Sequence, residues 1–474
     1  LVGFTKTDEI EPGKSQTVEV TVSLKDLASY DENDAKTYVL EKGDYYFAIG
    51  NGAHDALNNV LKAKGAAGLK ESGDASKAHK WTKNDFDADE YMLSARNRKI
   101  TNQLDDADLN YYIEDAVKYL SRNDWNGTWP KDMSGLAATD AMVKELNGYV
   151  TDNTTKLPSA YEKGSSDTSK IKTGAEFRYP LVTLRGVEYN DEAWKQLLDQ
   201  LTVEDLLELS RQGRPGAPKT VVLPETTAID GPSAWTKGTY LEKYDVTDSK
   251  DKKYTSDAFV AYPVDVVIAA PWNQSLERML GEAFREEGLW GAGVGWYGPA
   301  ANIHRTPYSG RNFEYFSEDG YISGVLCEAE MHGAQKKGVI PYVKHFFLND
   351  QETNRISACT FSNEQAIREI YLRAFQATFE TTGENDPSCK GVMGACNRIG
   401  LKWTGHHKNL WKNVMEGEWG FTGNITTDFG QNPTGLMEPQ LAYEAGTTMF
   451  CTSGKSFTDY LKDLVEKDEK LMSN

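Results

Sequence analysis

Long apolar runs are missing from this sequence. No stretch approaches the roughly 18 consecutive apolar residues of a membrane-spanning helix, and the first residues, LVGFTKTDEI, lack the basic and apolar segments of a signal peptide. We therefore expect a soluble globular protein with no membrane partner. The compartment stays open between secreted, periplasmic and cytoplasmic, because a leader could lie upstream of Leu1.

Cysteine and histidine are scarce as well. The 474 residues include seven histidines and five cysteines, which are Cys327, Cys359, Cys389, Cys396 and Cys451. The cysteines form no CxxC pair, and no histidine stands at a companion spacing. We expect neither a disulfide framework nor a metal site.

Positive charge is in deficit. The chain has 71 acidic side chains against 52 basic ones, which gives a formal net charge of -19. Such a charge repels a phosphate backbone and anionic lipid headgroups. It argues against a nucleic-acid partner and leaves a neutral ligand open.

Three regions of the chain differ in composition and in the pattern of apolar residues. Residues 1–61 contain short alternating segments such as QTVEVTVSL and TYVLEKGDYYFAIGNG, which predict part of a β-sandwich. Residues 62–178 are rich in Lys, Asp, Gly, Ser and Asn, and we interpret them as a connecting and decorating region. Residues 179–474 alternate apolar runs with amphipathic helices, which predicts a parallel α/β fold. Its length of roughly 300 residues favours a closed (β/α)8-like TIM barrel over an open sheet.

Polar residues stand at the ends of several predicted strands in this last region. The predicted strands are TAID, VVIAA, VIPYV, GVMGA and NITTD. Asp230 ends the first, Lys344 and His345 follow the third, Asn397 comes shortly after the fourth, and Asp428 ends the last. Any one of these could cap a helix, but active sites of barrels are built where strands end. Their shared position predicts a single active-site rim.

Four segments of the sequence resemble glycoside hydrolase family 3. They are IDGPSAW from Ile229, GPAANIHRTPYSGRNFEYFSEDGYISG from Gly298, YVKHFFLNDQETNR from Tyr342, and EWGFTGNITTDFG from Glu418. The last three are long and specific. The N-terminal LVGFTKTDEIEPGKSQTVEV also resembles the fibronectin type III-like module of this family, beginning partway through it. The resemblance implies a TIM barrel preceded by a partial fibronectin type III-like sandwich.

The resemblance also implies roles for individual residues. Asp428 matches the family's nucleophile, a carboxylate that attacks the anomeric carbon and forms a covalent glycosyl-enzyme. The residues that match the family's hydroxyl-binding positions are Asp230, Arg311, Lys344 and His345. The alternative for Arg311 is a structural ion pair with Glu314 or Glu318. No cofactor is implied, because glycosidase chemistry needs only carboxylates.

Other residues in the matching stretches are interpreted as scaffold behind the substrate-binding positions. They are Trp272, Glu352, Arg355, Cys396 and Asn397. Cys396 departs from the family pattern, because family members commonly carry an aromatic residue before this asparagine. A buried, inert thiol is the expectation there, and a reactive thiol is the alternative.

The activity implied by the resemblance is that of a retaining β-glucosidase acting on β-linked gluco-oligosaccharides or aryl glucosides. The loop KHFFLNDQETNR differs from the KHFPGHG loop of the family's N-acetylglucosaminidases, which favours glucosidase or xylosidase chemistry. The glucosidase branch takes its acid/base glutamate from an α/β sandwich domain that we do not find in this sequence. The module order fits the inverted branch, so we expect that domain upstream of Leu1 or on a companion chain of the same polypeptide.

Three questions stay open at this stage. The same site could serve a β-xylosidase or arabinofuranosidase, because one hydroxymethyl group of discrimination depends on the shape of the pocket. The chain could also be a non-catalytic sugar-binding module that lacks a proton donor. A homodimer is neither indicated nor excluded by the sequence.

Overall fold

The structure is a computed structural model that describes most of the 474 residues in two compact units. The described residues are 1–69, 71–87, 89–120, 135–151, 158–165, 168–211, 217–224, 226–235, 259–290, 294–356, 358–380, 388–428, 436–451 and 455–474. The first unit is Leu1–Asn102 and the second is Gln103–Asn474. Within these described ranges, no helix has the length and apolar composition needed to cross a membrane.

The first unit is built from two antiparallel strand pairs and one helix. Strand β1 (Ser29–Asp31) pairs with β2 (Thr37–Val39), and β3 (Gly43–Ala48) pairs with β4 (Ala78–Lys83). Helix α1 (Ala53–Ala63) lies between β3 and β4 in the chain.

The strand predicted at QTVEVTVSL is not formed in this unit. The segment is extended and exposed and ends in a 3-10 turn at Leu24–Leu27. A strand exists only through the backbone hydrogen bonds that it shares with a neighbour. The bond pair that ties this segment to the preceding residues runs between Asp8 and the side chain of Gln16, so it adds no backbone ladder.

The second unit contains a five-stranded parallel sheet in the order β12-β9-β7-β6-β5. Its strands are β5 (Ala228–Asp230), β6 (Gly295–Tyr297), β7 (Ile340–Phe346), β9 (Gly391–Gly394) and β12 (Asn424–Thr427). Parallel bridges continue it from Thr426 to Met449 and from Phe450 to Arg211. Closure of the sheet into a barrel stays a prediction. The other three strands form a small sheet: β8 (Cys359–Thr360), β10 (Arg398–Ile399) and β11 (Lys402–Trp403).

Helices alternate with the parallel strands in the second unit. They are α2 (Leu109–Tyr112), α3 (Asp140–Gly148), α4 (Glu192–Leu198), α5 (Val203–Leu209), α6 (Asp265–Ala269), α7 (Gln274–Trp290), α8 (Gly320–Gln335), α9 (Glu364–Ala366), α10 (Arg373–Phe379), α11 (Pro439–Ala445), α12 (Lys455–Lys467) and α13 (Glu469–Ser473). Two segments, Ile367–Tyr371 and Asn409–Glu418, are π-helical. Thr202 begins α5 with a capping box to Asp205, which satisfies donors of the first turn.

Four of the five predicted strands are confirmed, and one is wrong. TAID, VIPYV, GVMGA and NITTD correspond to β5, β7, β9 and β12. VVIAA, which was predicted to be a strand, lies in helix α6 instead. Asp265, Ile268 and Ala269 are buried in this helix at the i, i+3, i+4 spacing of one helical face, a pattern that a short apolar run hides.

The aromatic core behind the sheet centres on Phe346, near the end of β7. Its ring centroid lies 5.1 Å from that of Phe375 and 5.3 Å from that of Trp411. All three side chains are buried, and burial of one such side chain stabilises a fold by about 2 to 3 kcal/mol. Because Phe346 directly follows Lys344 and His345, this packing fixes the backbone that carries both of them.

Candidate active site

Asp428 lies directly after β12, at the carboxyl end of the parallel sheet. Its side chain is 13% exposed, and one oxygen, Oδ2, faces three side chains from other elements. The Sγ atom of Cys396 lies 3.1 Å away, Nη1 of Arg355 lies 3.6 Å away, and Nε2 of His345 lies 3.9 Å away. A carboxylate at a strand end, paired with a guanidinium and accepting a hydrogen bond from a thiol, is suited to act as an oriented nucleophile.

Lys344, near the end of β7, contacts Asp230, the last residue of β5, at the carboxyl end of the sheet. Its buried Nζ donates to Oδ1 of Asp230 at 2.7 Å and lies 3.6 Å from Oε2 of Glu314. The other oxygen of Glu314 accepts from Nε of Arg311. These ion pairs link Asp230, Lys344, Glu314 and Arg311 in one continuous chain of alternating charge.

Lys344 and His345 are consecutive, yet each contacts a carboxylate at this edge of the sheet. The pairing of β7 with β9 shifts its register between Val343 and Phe346, and such irregularities redirect side chains near the ends of strands. Asn302 holds the backbone of His345 in place. Its Oδ1 accepts from the His345 N–H at 2.8 Å, and its Nδ2 donates to the His345 carbonyl at 2.9 Å.

The local charges set the protonation of two of these residues. Partial desolvation by the surrounding protein acts to raise the pKa of Asp230, but the charge and hydrogen bond of Lys344, the Gly231 N–H and the charge of Arg311 together hold that pKa below its usual range. The pKa of His345 is well below its usual range because of burial and then because of the positive charges of Arg311, Lys344 and Arg355. Asp230 is therefore an anion and His345 a neutral imidazole. The Asp230 side chain is 62% exposed, which leaves it accessible to a ligand.

Four of the five predicted scaffold residues divide into two groups. Glu352, Arg355 and Cys396 belong to the surroundings of Asp428, with Nε of Arg355 3.5 Å from Oε2 of Glu352. Asn397 is buried and instead fixes backbone, donating to the carbonyls of Phe347 and Arg398.

Trp272 is placed by the helix that precedes it. It is half-buried just after α6, and its backbone N–H donates to the carbonyl of Ala269 at 2.9 Å. Its φ of 52° is in the left-handed region.

Sequence reasoning undervalued one residue and missed two. Glu314 was considered only as an alternative partner of Arg311, yet it is buried and contacts Arg311 and Lys344 together. The signal for it was the i, i+3 spacing of Arg and Glu. Tyr315 and Asn349 were not predicted at all. The Tyr315 hydroxyl lies 3.3 Å from Nδ1 of His345 and accepts from Nδ2 of Asn349 at 3.0 Å.

Among the described residues, no group of three or more His, Cys, Asp or Glu side chains is arranged to hold a metal ion. His406 and His407, adjacent in sequence, are buried and each contacts a backbone carbonyl, those of Glu438 and Ile399 respectively.

Comparison with known proteins finds two family models in the chain. The glycosyl hydrolase family 3 N-terminal domain matches residues 250–474, and the fibronectin type III-like domain matches residues 1–53. A beta-glucosidase of Bacteroides ovatus is 37% identical over 237 residues, which is 49% of this chain and 30% of that protein. Beta-glucosidase A of Butyrivibrio fibrisolvens is 25% identical over 472 residues, which is 98% of this chain and 50% of that protein.

A solved structure extends the similarity to the fold. The crystal structure of a beta-glucosidase from Paenibacillus barengoltzii aligns with 98% of this chain and 47% of its own, with a TM-score of 0.65 at 20% sequence identity. This chain spans half or less of the length of these relatives. The two domain models and the curated relatives agree on glycoside hydrolase family 3, and residues 250–474 carry the N-terminal domain of that family.

Proposed function

We propose that this chain is the nucleophile-bearing part of a retaining β-glucosidase, in which Asp428 attacks the anomeric carbon of a terminal, non-reducing β-D-glucosyl residue. The observation that carries the proposal is the convergence of Arg355, His345 and Cys396 on one oxygen of Asp428 at the end of β12. The relatives named beta-glucosidases support the choice of glucose.

The neighbouring ion pairs supply the groups that would hold the sugar. Asp230 would accept hydrogen bonds from hydroxyl groups, while Lys344 and Arg311 would donate to them. Charged groups make stronger hydrogen bonds to hydroxyls than neutral groups do, so such a cluster can select one stereochemistry. Arg311 has five N–H donors, and its pair with Glu314 through Nε does not exhaust them.

The proposed reaction has two steps. In the first, a carboxylate oxygen of Asp428 forms a bond to C1 while the bond from C1 to the aglycone oxygen breaks, and that oxygen takes a proton from an acid. In the second, the same acid, now a base, takes a proton from water, whose oxygen displaces Asp428 from C1. The net result is hydrolysis with retention of configuration.

We assign the acid/base to a glutamate in an α/β sandwich segment or companion chain of the same polypeptide. The architecture proposed with it is a fibronectin type III-like part in residues 1–61, a connecting region in 62–178 and a TIM barrel in 179–474. The parallel order from β5 through β12, continued by the bridges to Met449 and Arg211, supports a barrel.

The test is intact-protein mass spectrometry after incubation with 2-deoxy-2-fluoro-β-D-glucosyl fluoride. Fluoride leaves with little acid assistance, and the 2-fluoro group slows hydrolysis of the intermediate, so a missing proton donor does not prevent labelling. We expect one fluoroglucosyl group on a peptide that contains Asp428, absent in Asp428→Asn. No adduct on a folded protein that binds glucose would refute the nucleophile and indicate a sugar-binding module.

A second reagent separates the pentose alternatives. The corresponding 2-deoxy-2-fluoro-β-D-xylosyl fluoride lacks only the hydroxymethyl group, so the ratio of labelling rates reports how the pocket uses that group. Faster labelling by the glucosyl reagent supports a glucosidase. Faster labelling by the xylosyl reagent would move the assignment to a β-xylosidase or arabinofuranosidase on the same site.

A further inference from the structure

A closed ring of polar contacts connects Asp428 with Tyr315 and Asn349, two residues that have no assigned role. From Asp428 the ring passes through His345, Tyr315, Asn349, Glu352 and Arg355 and returns to Asp428. Because each polar group has a fixed set of donors and acceptors, the donor and the acceptor of each hydrogen bond in the ring can be assigned. These assignments determine which nitrogen of His345 carries the proton.

The orientation of Asn349 is fixed by Glu352. Nδ2 of Asn349 donates to Oε1 of Glu352 at 3.0 Å, while Oε2 of Glu352 faces Nε of Arg355. A carboxylate paired with a guanidinium only accepts hydrogen bonds, so the amide nitrogen of Asn349, and not its oxygen, must point toward it.

The same amide nitrogen fixes the hydroxyl of Tyr315. Nδ2 of Asn349 also lies 3.0 Å from the Tyr315 oxygen, which therefore accepts this hydrogen bond. The single hydroxyl hydrogen is then directed at Nδ1 of His345, 3.3 Å away. Burial raises the pKa of Tyr315 well above its usual range, so this hydrogen stays on the oxygen.

His345 completes the sequence of donors. Its imidazole is neutral, and a neutral ring that accepts at Nδ1 carries its proton on Nε2. Nε2 is the atom that faces Oδ2 of Asp428 at 3.9 Å. Such contacts are often long before substrate binds and shorten in the complex. The contacts from Cys396 and Arg355 also fall on Oδ2.

We propose that Tyr315 and Asn349 are positioning residues that hold the proton of His345 on Nε2, so that His345 donates to Oδ2 of Asp428 and Oδ1 is the attacking oxygen. The assignment of the attacking oxygen rests on the proposed function of Asp428. The assignment of the tautomer does not depend on that function, because it rests on these contacts and on the neutral state of the buried imidazole.

The first experiment observes the tautomer directly. Protein with ¹⁵N-labelled histidine rings gives nitrogen signals that distinguish a protonated from an unprotonated ring nitrogen, and the His345 signals are those that disappear in His345→Gln. We expect a protonated Nε2 and an unprotonated Nδ1, and a mixture of both tautomers in Tyr315→Phe. A wild-type ring protonated on Nδ1 would overturn the proposal.

The second experiment measures the rate at which the fluoroglucosyl fluoride labels Asp428. A hydrogen bond to a charged group is worth a factor of about ten or more, so Tyr315→Phe should slow labelling by that factor while glucose binds nearly as before. The matched control is Tyr262→Phe, which removes a hydroxyl that contacts Oε1 of Glu287 at 3.1 Å outside this ring. Equal rates in the two variants would refute the positioning role.

A pair of His345 variants keeps the test decisive if Tyr315→Phe does not fold. The amide of His345→Gln places an N–H near the former Nε2, whereas that of His345→Asn places it near the former Nδ1. We expect His345→Gln to label faster than His345→Asn, and the reverse order would contradict the proposal. Absence of labelling in the wild-type protein would refute the function proposed for Asp428 and leave the nitrogen spectra to decide the tautomer.

Discussion

The Sγ atom of Cys396 lies 3.1 Å from Oδ2 of Asp428, and the thiol donates a hydrogen bond to that carboxylate. Cys396 is buried in a cluster with Trp403 and Leu436. Burial, reinforced by the charge of Asp428, raises the pKa of the thiol well above its usual range. Cys396 is thus a neutral donor, and its location agrees with the expectation of an inert thiol.

Removal of this donor should reduce the reactivity of Asp428 moderately. A thiol is a weak donor, so we expect Cys396→Ala to lower kcat/KM for an aryl β-glucoside by about threefold to tenfold. Cys396→Ser retains a donor of similar size and should stay closer to the native value. The measurement is steady-state hydrolysis by the complete enzyme. An alanine variant as active as the serine variant would contradict a role for the hydrogen bond.

The same environment predicts that Cys396 resists alkylation. Only the thiolate reacts readily with iodoacetamide, and this thiol is both buried and neutral. Peptide mass spectrometry of the native protein after brief treatment should find Cys396 unmodified, and the same treatment after unfolding in urea should modify it. Rapid modification of the native protein would show that the thiol is accessible and reactive.

Glu314 should be important for stability as well as for the site. It is buried between Arg311 and Lys344, so Glu314→Gln leaves two cations without their shared carboxylate. We expect the free energy of unfolding in urea to fall by about 3 kcal/mol. The control is Glu286→Gln, because Glu286 is 47% exposed and pairs with Lys337 at the surface, where solvent screens the pair and the loss should be much smaller. Similar losses in both variants would contradict this account.

Much of the parallel sheet was predictable because its strands are short apolar runs that end in polar residues. β6 was missed, since Gly295–Tyr297 is only three residues long and is flanked by glycine. The strand prediction for VVIAA was wrong for a related reason, because five apolar residues fit a strand and a buried helical turn equally well. Asp230 and Asp428 stand at strand ends, and their positions could be read from the order of residues alone.

The contacts between elements could not be predicted in that way. Tyr315 precedes α8 and Asn349 follows β7, and nothing in their sequence spacing shows that one donates to the other. Their relationship depends on how two loops pack at the edge of the sheet. The donors and acceptors in the ring could therefore be assigned only from the three-dimensional structure, although the ring residues lie in segments that the sequence had singled out.

The packing of α7 against α8 depends on Gly281. A Cβ atom at this position would lie 2.0 Å from the carbonyl oxygen of Glu330 and 2.8 Å from the backbone nitrogen of Ala334. Gly281→Ala must therefore push the helices apart, and we expect a loss of about 2 kcal/mol in the free energy of unfolding. Gly148→Ala at the end of α3 is the control, because its nearest contact would be Ser159 Oγ at 3.4 Å. An equal response of the two variants would refute the close contact.

Three buried carboxyl groups, Asp265, Glu277 and Glu330, predict that stability falls as the pH rises above about 4.5. Among the residues that the structure describes, the oxygens of Glu277 and Glu330 have no hydrogen-bond partner. Burial raises the pKa of Glu277 from 4.5 to about 8 and raises the pKa values of Asp265 and Glu330 in the same direction. The folded state therefore retains protons that the unfolded state releases.

The sign of the pH effect follows from this difference in proton binding. The stability contributed by protonated Glu277 is complete below about pH 4.5 and is lost as the pH rises through about 8, because unfolding then releases a proton. We expect Tm to fall over this interval and Glu277→Gln to make the fall shallower, since an amide cannot ionise. Glu282→Gln, at a more exposed position on α7, should keep the native slope. The measurement is thermal unfolding at a series of pH values, and a native slope in Glu277→Gln would show that this carboxyl group is already ionised in the folded protein.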